Sequence, residues 1–246
     1  MSTDPGPPYD LIGDVHGCRS ELDTLLAVLG WDGVHHPEGR TAVFVGDLVD
    51  RGPDTPGVLR RVMDMAAAGT ALCVQGNHEA KLVRALSGAN VRRSHGLEES
   101  LDQLDAEPAE FREQARAFMA GLPHQLTLDE GRLLVAHAGL REDLHGSDTP
   151  RSRAFALYGD TTGRSDEYGL PVRLPWQRDY RGRAMVVYGH TPVIDAEWVN
   201  NTICLDTGVV FGGRLTALRY PERELVSVPA QREWYPPTRP LGPVAR

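Results

Sequence analysis

The sequence is poor in lysine, and this limits what its basic residues can mean. Lys81 is the only lysine among 26 basic residues. The dominance of arginine, together with abundant Ala, Gly and Pro, is typical of a GC-rich genome, so arginine richness alone is weak support for phosphate recognition. The net charge of -8 excludes a general nucleic-acid coat, because phosphate binding requires a basic face. A local basic groove stays compatible with this balance.

Paired cysteines and long apolar runs are also missing. Cys18, Cys73 and Cys204 have neither metal-binding spacing nor a disulfide pattern, and free cysteines in apolar runs are usually small core residues. No apolar run approaches about 18 residues, and the first residues lack a basic-then-apolar signal region. We therefore expect a cytoplasmic protein with reduced thiols and no membrane partner.

The chain does have apolar runs that alternate with helical patterns. At 246 residues and 41% hydrophobic, it is long enough to bury a full core. Strand patterns at 9–14, 41–47 and 71–76 are each followed by a helical pattern, which predicts βαβ units and a largely parallel sheet. Residues 97–120 are helical only and predict a small helical insertion. Whether these helices close over a substrate is left open.

The residue pattern differs in the second half of the sequence, where short strand patterns are separated by turn signals. These patterns predict a second, mostly antiparallel sheet, with strands at 132–139, 184–190, 201–206, 214–220 and 224–230. The predicted fold class is therefore α/β (α+β), a two-sheet β-sandwich flanked by helices. We expect a disordered N-terminus at 1–8, one domain at 9–228, and a poorly ordered Pro-rich tail at 229–246.

Six apolar runs end in a glycine-containing turn that carries metal-competent or charged residues. These are Asp14 and His16, then Asp47, Asp50 and Arg51, then Asn77 and His78, and later His137, His190 and Asp206. A lone Gly-Asp is usually a turn, and a lone Gly-His is more often a satisfied histidine. Six strand ends that all carry Asp, His or Asn are hard to explain as turns alone. Because ligands at the carboxyl ends of strands converge on one crevice, we expect these residues to form one site.

The residue types in these turns predict a two-metal site. Carboxylate, imidazole and amide oxygen without thiolate suit Mn²⁺, Fe or Zn²⁺. Two metals about 3.5–4 Å apart need a bridging carboxylate and stabilise the attacking and leaving oxygens of an in-line displacement. An arginine beside them, Arg51, would hold phosphoryl oxygens in a bidentate fork. This combination of residues is typical of a phosphoesterase.

Five ordered motifs resemble the calcineurin-like metallophosphoesterase superfamily, in particular its phosphoprotein-phosphatase branch. They are "GDVHG" (13–17), "GDLVDRGP" (46–53), "GNHE" (76–79), "HAG" (137–139) and "GHT" (189–191). The resemblance covers roughly residues 9–228 and implies the metallophosphoesterase sandwich. Intact motif residues argue against a catalytically dead binding module that merely keeps the fold.

The resemblance also implies a role for each motif residue. The first metal would be held by Asp14, His16 and Asp47, and the second by the bridging Asp47 with Asn77, His137 and His190. Arg51 would bind phosphate with Asn77 nearby, and His78, oriented by Asp50, would protonate the leaving oxygen. Asp206 would belong to the active site. A metal-bridging hydroxide would attack phosphorus directly, with two Mn²⁺ ions expected and Ni²⁺, Fe or Zn²⁺ as alternatives.

Within the superfamily, the sequence resembles in particular the phosphatase module of bacterial polynucleotide kinase-phosphatase and related single-domain bacterial tetraphosphatases. The segments that carry this likeness are 36–40, 52–59, 155–163, 180–193, 197–208 and 211–230. It implies hydrolysis of nucleotide or RNA-end phosphomonoesters and of 2′,3′-cyclic phosphates. The alternative is a bis(5′-nucleosyl)-tetraphosphatase. A protein serine/threonine phosphatase comes third, because the "GNHE" motif is not followed by the Tyr-Gly-Phe segment of those enzymes.

The chain lacks a "GxxxxGK[ST]" phosphate loop and a lysine-centred ligase motif. Its tail, "REWYPPTRPLGP" (232–243), resembles the linker that follows the phosphatase module in larger repair enzymes. Fusion or association with kinase and ligase repair modules is therefore a hypothesis, and the oligomeric state is left open. The arginines at 151–183 are interpreted as a solvated loop, in preference to a rim that touches a second phosphate or an RNA end.

Overall fold

A computed structural model describes residues 8–242 of the chain. The expected disorder at 1–8 falls, except for Pro8, outside the described residues, as do the last residues of the tail. Two five-stranded sheets and six α-helices make up most of the described chain. The mixed α/β class and the two-sheet architecture are confirmed. None of the described helices is long and apolar enough to cross a membrane.

The first sheet has the order β12-β11-β1-β2-β3. Its strands are β1 (Tyr9–Ile12), β2 (Thr41–Phe44), β3 (Ala71–Cys73), β11 (Arg214–Tyr220) and β12 (Glu224–Pro229). β1, β2 and β3 run parallel, whereas β11 pairs antiparallel with both β1 and β12. The parallel part is the predicted βαβ unit.

The second sheet has the order β4-β5-β8-β10-β9. Its strands are β4 (Leu126–Leu128), β5 (Leu133–Val135), β8 (Met185–Tyr188), β9 (Trp198–Val199) and β10 (Thr202–Cys204). A separate hairpin is formed by β6 (Thr161–Ser165) and β7 (Pro171–Arg173). The three central strands, β5, β8 and β10, run parallel to one another.

The helices lie in the connections between these strands. They are α1 (Arg19–Leu29), α2 (Thr55–Ala67), α3 (Asn77–Leu86), α4 (Leu97–Asp105), α5 (Ala109–Gly121) and α6 (Pro150–Tyr158). Short 3-10 turns occupy Asp129–Gly131, Glu142–Leu144 and Trp176–Arg178. α4 and α5 form within the predicted helical insertion and pack against α2 and α3.

Alternating residues of the strands fill the layers on both sides of each sheet. Leu11 of β1 faces the layer between the two sheets with Val43 and Val187, while the next residue, Ile12, faces the helices with Phe44. Successive side chains of a strand point to opposite faces, and both faces of a helix-covered parallel sheet are buried. The rigid sandwich therefore fixes where each strand ends.

The expectation of a mostly antiparallel second sheet is wrong. Its central strands are parallel, and the strands at 214–220 and 224–230 belong to the first sheet instead. The central strands carry uninterrupted buried residues, as is typical of parallel strands covered on both faces. The long connections between them give the chain room to cross over and re-enter the sheet in the same direction.

The described part of the tail, residues 229–242, packs against the domain. Trp234 and Tyr235 lie against the apolar cluster beneath α1. The Trp234 Nε1 donates to Glu21 Oε1 at 2.8 Å. Further on, Ile194 N donates to the carbonyl of Gly242 at 3.0 Å. Apolar and hydrogen-bonding side chains among the prolines explain this packing.

Candidate metal centre

The six predicted turns meet at one edge of the sandwich. Three follow β1, β2 and β3 of the first sheet, and three follow β5, β8 and β10 of the second. The residues brought together are Asp14, His16, Asp47, Asp50, Arg51, Asn77, His78, His137, His190 and Asp206. Each sheet therefore delivers part of one cluster.

Asp47 lies at the middle of this cluster. Its Oδ2 is 3.7 Å from His16 Nε2, 3.9 Å from His78 Nε2 and 3.3 Å from His137 Nε2. Two groups of ligand atoms, each within 4.8 Å of one another, both include Asp47: His16–Asp47–His78 and Asp47–His137–His190. This shared position is what a carboxylate that bridges two ions requires.

Backbone carbonyls orient two of the histidines toward the cluster. His16 Nδ1 donates to the Val49 carbonyl at 2.8 Å, and His137 Nδ1 donates to the Val45 carbonyl at 3.0 Å. A histidine that donates through Nδ1 presents the lone pair of Nε2 to a ligand. Burial, and then the charge of Arg51, lower the pKa of His16 well below its usual value. This favours the neutral, ligating form.

His137 and His190 complete the second group. His137 Nε2 lies 3.0 Å from both Asn77 Oδ1 and His190 Nδ1. Burial and then His137 lower the pKa of His190 well below its usual value. Burial opposes the charging of His137, but Asp47 outweighs it and raises the pKa of His137. Two imidazole nitrogens and an amide oxygen therefore converge beside the Asp47 carboxylate.

Asp14 and Asp206 are buried acids beside the two groups. Asp14 Oδ2 accepts from His190 N at 2.9 Å, and Asp206 Oδ1 accepts from Gly208 N at 3.1 Å. Burial and then the neighbouring Asp206 raise the pKa of Asp14 well above its usual value. Burial raises the pKa of Asp206 to about 6. Carboxylates that repel one another in a buried site are stabilised by a cation.

A divalent-metal pair fits the residues present. Asp14 Oδ1, Asp206 Oδ2 and His190 Nε2 are buried and have no hydrogen-bond partner within residues 8–242. Buried polar atoms normally have partners, and all three are competent to bind a cation. The donors are carboxylate, imidazole and amide, a set that suits Mn²⁺, Fe or Zn²⁺.

His78 differs from the other histidines because a carboxylate holds it. Its Nδ1 donates to Asp50 Oδ2 at 2.6 Å, and its backbone N donates to Asp47 Oδ1 at 3.1 Å. A carboxylate that accepts from Nδ1 fixes the orientation of the imidazole ring. Nε2 faces the cluster, so this geometry suits either a ligand or an acid at the metal edge.

Arg51 stands over the same cluster. Its Nη1 is 2.7 Å from His16 Nε2, and its guanidinium lies 5.2 Å from the ring centroid of Phe211. The planar aromatic face supports the guanidinium through a cation–π contact. The arginine fork is therefore aimed at the crevice, where it can meet phosphoryl oxygens.

The turns that carry these residues adopt unusual backbone conformations. Positive φ angles occur at ten non-glycine positions of the described chain, and half of them belong to the cluster: His16, Asp47, Asp50, Arg51 and His190. Such conformations cost of order 1–3 kcal/mol each. The backbone at Gly189 lies close to the Asp14 side chain, and a Cβ at this position would collide with Asp14 Oδ1.

Two residues without a predicted role brace the turn after β2. Glu79 Oε2 accepts from Asp47 N and Gly76 N, both at 2.8 Å, and its Oε1 accepts from Leu48 N at 2.7 Å. Burial and then Asp47 raise the pKa of Glu79 to about 7. Asp50 N donates to Ser100 Oγ of α4 at 3.0 Å. Glu79 is the last residue of the "GNHE" motif, whereas nothing in the sequence singles out Ser100.

The crevice above the cluster is a cavity of about 290 Å³. Asp47, Arg51, Asn77, His78 and His190 form its base, and residues 237–241 of the tail form part of its rim. His95, which had no predicted role, also lines it. The only lysine, Lys81, holds the segment before His95, because its Nζ donates to the Ser94 carbonyl at 2.8 Å.

Comparison with known proteins agrees with this geometry. The sequence profile of the family described as calcineurin-like phosphoesterase matches residues 7–202. A protein of Anoxybacillus flavithermus named bis(5′-nucleosyl)-tetraphosphatase PrpE [asymmetrical] is 46% identical over 230 residues, which cover 90% of this chain and 94% of that protein. A protein of the same name from Bacillus thuringiensis is 43% identical, with coverage of 93% and 96%.

Solved structures show the same architecture. A crystal structure described as a diadenosine tetraphosphatase superposes with a TM-score of 0.67 at 26% identity, and the match covers 94% of this chain and 96% of that one. A yeast protein serine/threonine phosphatase superposes with a TM-score of 0.64 at 15% identity, covering 93% and 81%, and shows the fold alone. The family profile, the relatives and the cluster lead to one conclusion. The chain belongs to the calcineurin-like phosphoesterase family and is a metal-dependent phosphoester hydrolase.

Proposed function

We propose that the protein is an asymmetrical bis(5′-nucleosyl)-tetraphosphatase, which converts diadenosine tetraphosphate to AMP and ATP. The observation that carries the proposal is identity of 43–46% to proteins of that name over at least 90% of this chain. The sequence alone predicted RNA-end phosphomonoesters and 2′,3′-cyclic phosphates first, and a bis(5′-nucleosyl)-tetraphosphatase of unspecified cleavage position second. The names of the relatives support the second expectation better than the first.

The residues for the metal pair are those with converging donors. Asp14, His16 and Asp47 would hold one ion, and Asp47, Asn77, His137 and His190 the other, with Mn²⁺ as the expected metal. Bound there, the ions supply Lewis acidity and lower the pKa of water near phosphorus. Asp47 contributes most to this arrangement because it alone contacts histidines of both groups.

The side chains around the cluster have separate tasks. Arg51 neutralises the phosphoryl oxygens and orients the phosphate, with Asn77 beside it. A water oxygen forms a bond to phosphorus as the bond from phosphorus to the leaving oxygen breaks. His78 donates the proton that the leaving oxygen needs, because Asp50 holds its Nδ1 and directs the imidazole at the crevice. Asp206 lies beside Asp14 and adds negative charge that favours cation binding.

Product analysis tests the proposal. The protein with Mn²⁺ should release equal amounts of AMP and ATP from diadenosine tetraphosphate, and chelation should stop the reaction. Two molecules of ADP would make the cleavage symmetrical and contradict the proposal. Turnover of 2′,3′-cyclic AMP without cleavage of the dinucleotide would contradict the proposal and favour the RNA-end activity.

A further inference from the structure

A second cavity, of about 390 Å³, lies beside the metal centre. Much of its lining is apolar and includes Leu174, Pro175, Trp176 and Tyr188, with Asp160 as an acceptor on the same lining. Small-molecule sites commonly have about 300–1,000 Å³ and a mostly apolar lining with few polar groups. This cavity meets both conditions, and none of the metal-site roles uses it.

The second cavity adjoins the cavity above the metal centre. The two share six lining residues, which are Arg173, His190, Thr191, Pro192, Arg239 and Pro240. His190 is one of the clustered donors and lines both cavities, so the second cavity borders the cluster. A larger cavity of about 640 Å³ near Tyr180 shares no lining residue with the metal-site cavity.

Two arginines mark the junction between the cavities. Burial, and then the charge of Arg239, lower the pKa of Arg173 to about 10, so Arg173 stays a cation at neutral pH. Its guanidinium donates to the Tyr158 carbonyl, and Arg239 pairs with Asp166 at 3.4 Å with its side chain 41% exposed. Asp160 of the same lining pairs with Arg141 at 3.9 Å, so the two guanidinium groups beside Asp166 leave positive charge that suits a phosphate.

The tail holds Arg239 at this junction. Val193 and Gly242 form a parallel bridge, and the Ile194 N–H donates to the Gly242 carbonyl. Leu241 lies against Gly208, in the turn that follows Asp206. The tail is therefore tied to the loops after β8 and β10, which carry two of the clustered residues.

We infer that this second cavity binds the nucleoside attached to the phosphate that is cleaved, while Arg173 and Arg239 contact the phosphate chain. The inference deepens and rests on the proposed function. A nucleoside seated beside His190 presents its own 5′-phosphate to the metal centre, and the triphosphate end leaves. This seating accounts for asymmetrical cleavage, because cleavage between the middle phosphates would need a longer span from cavity to cluster.

Competitive inhibition of p-nitrophenyl phosphate hydrolysis tests the cavity without the dinucleotide. We expect AMP to inhibit the wild-type protein with Mn²⁺ about tenfold more tightly than ribose 5-phosphate, because only AMP carries a base, and base contacts of this kind are worth about that much. In the Gly242→Phe variant, AMP and ribose 5-phosphate should inhibit about equally, so that the ratio of their inhibition constants approaches one. A Cβ at Gly242 meets no atom within 4 Å, so the ring has room to enter the cavity.

Gly121→Phe is the matched control. Gly121 ends α5 outside both cavities, and a Cβ there also meets no atom within 4 Å, so the tenfold ratio should persist. Leu174→Glu, at an exposed lining position, replaces Gly242→Phe if that variant does not fold. Equal inhibition by AMP and ribose 5-phosphate in the wild type, or an unchanged ratio in the cavity variants, would overturn the inference. Tight AMP binding without cleavage of the dinucleotide would contradict the proposed function but would leave the inference about the second cavity intact.

Discussion

Several residues in this site have backbone conformations that a regular β-strand does not adopt. Asp47, Asp50 and Arg51 all have positive φ angles, and the Glu79 carboxylate accepts from the amides of Asp47 and Leu48. Strain of this kind persists only where surrounding contacts enforce it. Glu79 therefore fixes the conformation of the turn after β2, and this conformation places the Asp47 carboxylate in the cluster.

The shared position of Asp47 gives the first prediction. Asp47→Ala should remove both ions and nearly all turnover, because Asp47 contacts histidines of both groups. His78→Ala should keep the metal content and lower kcat by about 10²–10⁴-fold, the usual contribution of a general acid. Metal analysis of the purified variants, together with kcat, checks both statements. Wild-type metal content in Asp47→Ala would show that Asp47 does not bridge, and loss of metal in His78→Ala would make His78 a ligand.

Asp206 gives a prediction about stability and pH. Its pKa is raised to about 6 in the folded protein by burial, so the folded state binds a proton more tightly than the unfolded chain. The metal-free protein therefore loses stability as pH rises from about 4 to about 6. Asp206→Asn should stabilise the metal-free protein at pH 7 by about 1–3 kcal/mol, since one pKa unit corresponds to about 1.4 kcal/mol, while turnover falls at least about tenfold.

Urea unfolding in chelator, at about pH 7 and about pH 5, measures this effect. The stability difference between wild type and Asp206→Asn should shrink at the lower pH, because the wild-type carboxyl is then largely protonated. Asp14 contributes to the same difference, because burial and then the Asp206 charge raise its pKa. Acids outside this pair titrate equally in both proteins and cancel in the comparison. A variant less stable than wild type at both pH values would refute the idea that Asp206 is destabilising without metal.

Among the elements, α4 supports the turn after β2 through hydrogen bonds. Ser100 Oγ accepts from Asp50 N at 3.0 Å and lies 3.0 Å from Thr55 Oγ1. Gln103 accepts from Thr55 N at 2.7 Å and donates to the Gly52 carbonyl at 3.1 Å. The helical insertion therefore acts at least as a brace for the turn after β2.

Removal of this brace should affect catalysis more than metal binding. Ser100→Ala leaves the buried Asp50 amide without its partner, which should lower the free energy of unfolding by about 1–3 kcal/mol. It should also lower kcat about 3–10-fold, since a small misplacement of a catalytic group is costly. Metal content should stay at the wild-type level.

Gln114→Ala is the control for the brace. Gln114 is exposed on α5 and makes one weak contact, at 3.4 Å, with Glu110, so both unfolding and kcat should match the wild type. Ser100→Thr keeps the hydroxyl and should restore part of the lost turnover. A normal kcat in Ser100→Ala with reduced stability would limit Ser100 to a structural role.

The elements also show what the sequence could predict. The apolar runs at 9–14, 41–47 and 71–76 predicted β1, β2 and β3, because a buried run bounded by turn residues has few alternatives. The direction of β5, β8 and β10 was not predictable in this way, since long connections allow either sense. The site residues at strand ends could be chosen from the sequence. Ser100 and Arg239 could not, because tertiary packing alone brings them to the crevice. Arg173 was one of the arginines at 151–183 that were interpreted as a solvated loop, and the sequence does not distinguish it from the others.

At the scale of the whole molecule, the two sheets meet through the metal centre. Asp14, His16 and Asp47 come from the first sheet, and His137 and His190 from the second. Apolar side chains such as Leu11 and Val187 already hold the sheets together. A cation bound by donors from both sheets adds a further link between them.

This link predicts a metal-dependent stability. Mn²⁺ at about 100 times its Kd should raise the free energy of unfolding by about 2.7 kcal/mol, measured by thermal or urea unfolding with and without chelator. Asp47→Ala should lose most of this gain, whereas Gln114→Ala should retain it. An equal gain in Asp47→Ala would mean that the stabilising ion binds elsewhere.

The single lysine has a practical consequence for observing this enzyme at work. Lys81 lies on α3, and its Nζ holds the Ser94 segment that leads to His95 on the rim of the metal-site cavity. An amine-reactive fluorophore therefore has one side-chain target in this sequence. Attached there, the dye reports from the edge of the metal-site cavity, and a matched Lys81→Arg protein supplies the background from dye on the α-amino group.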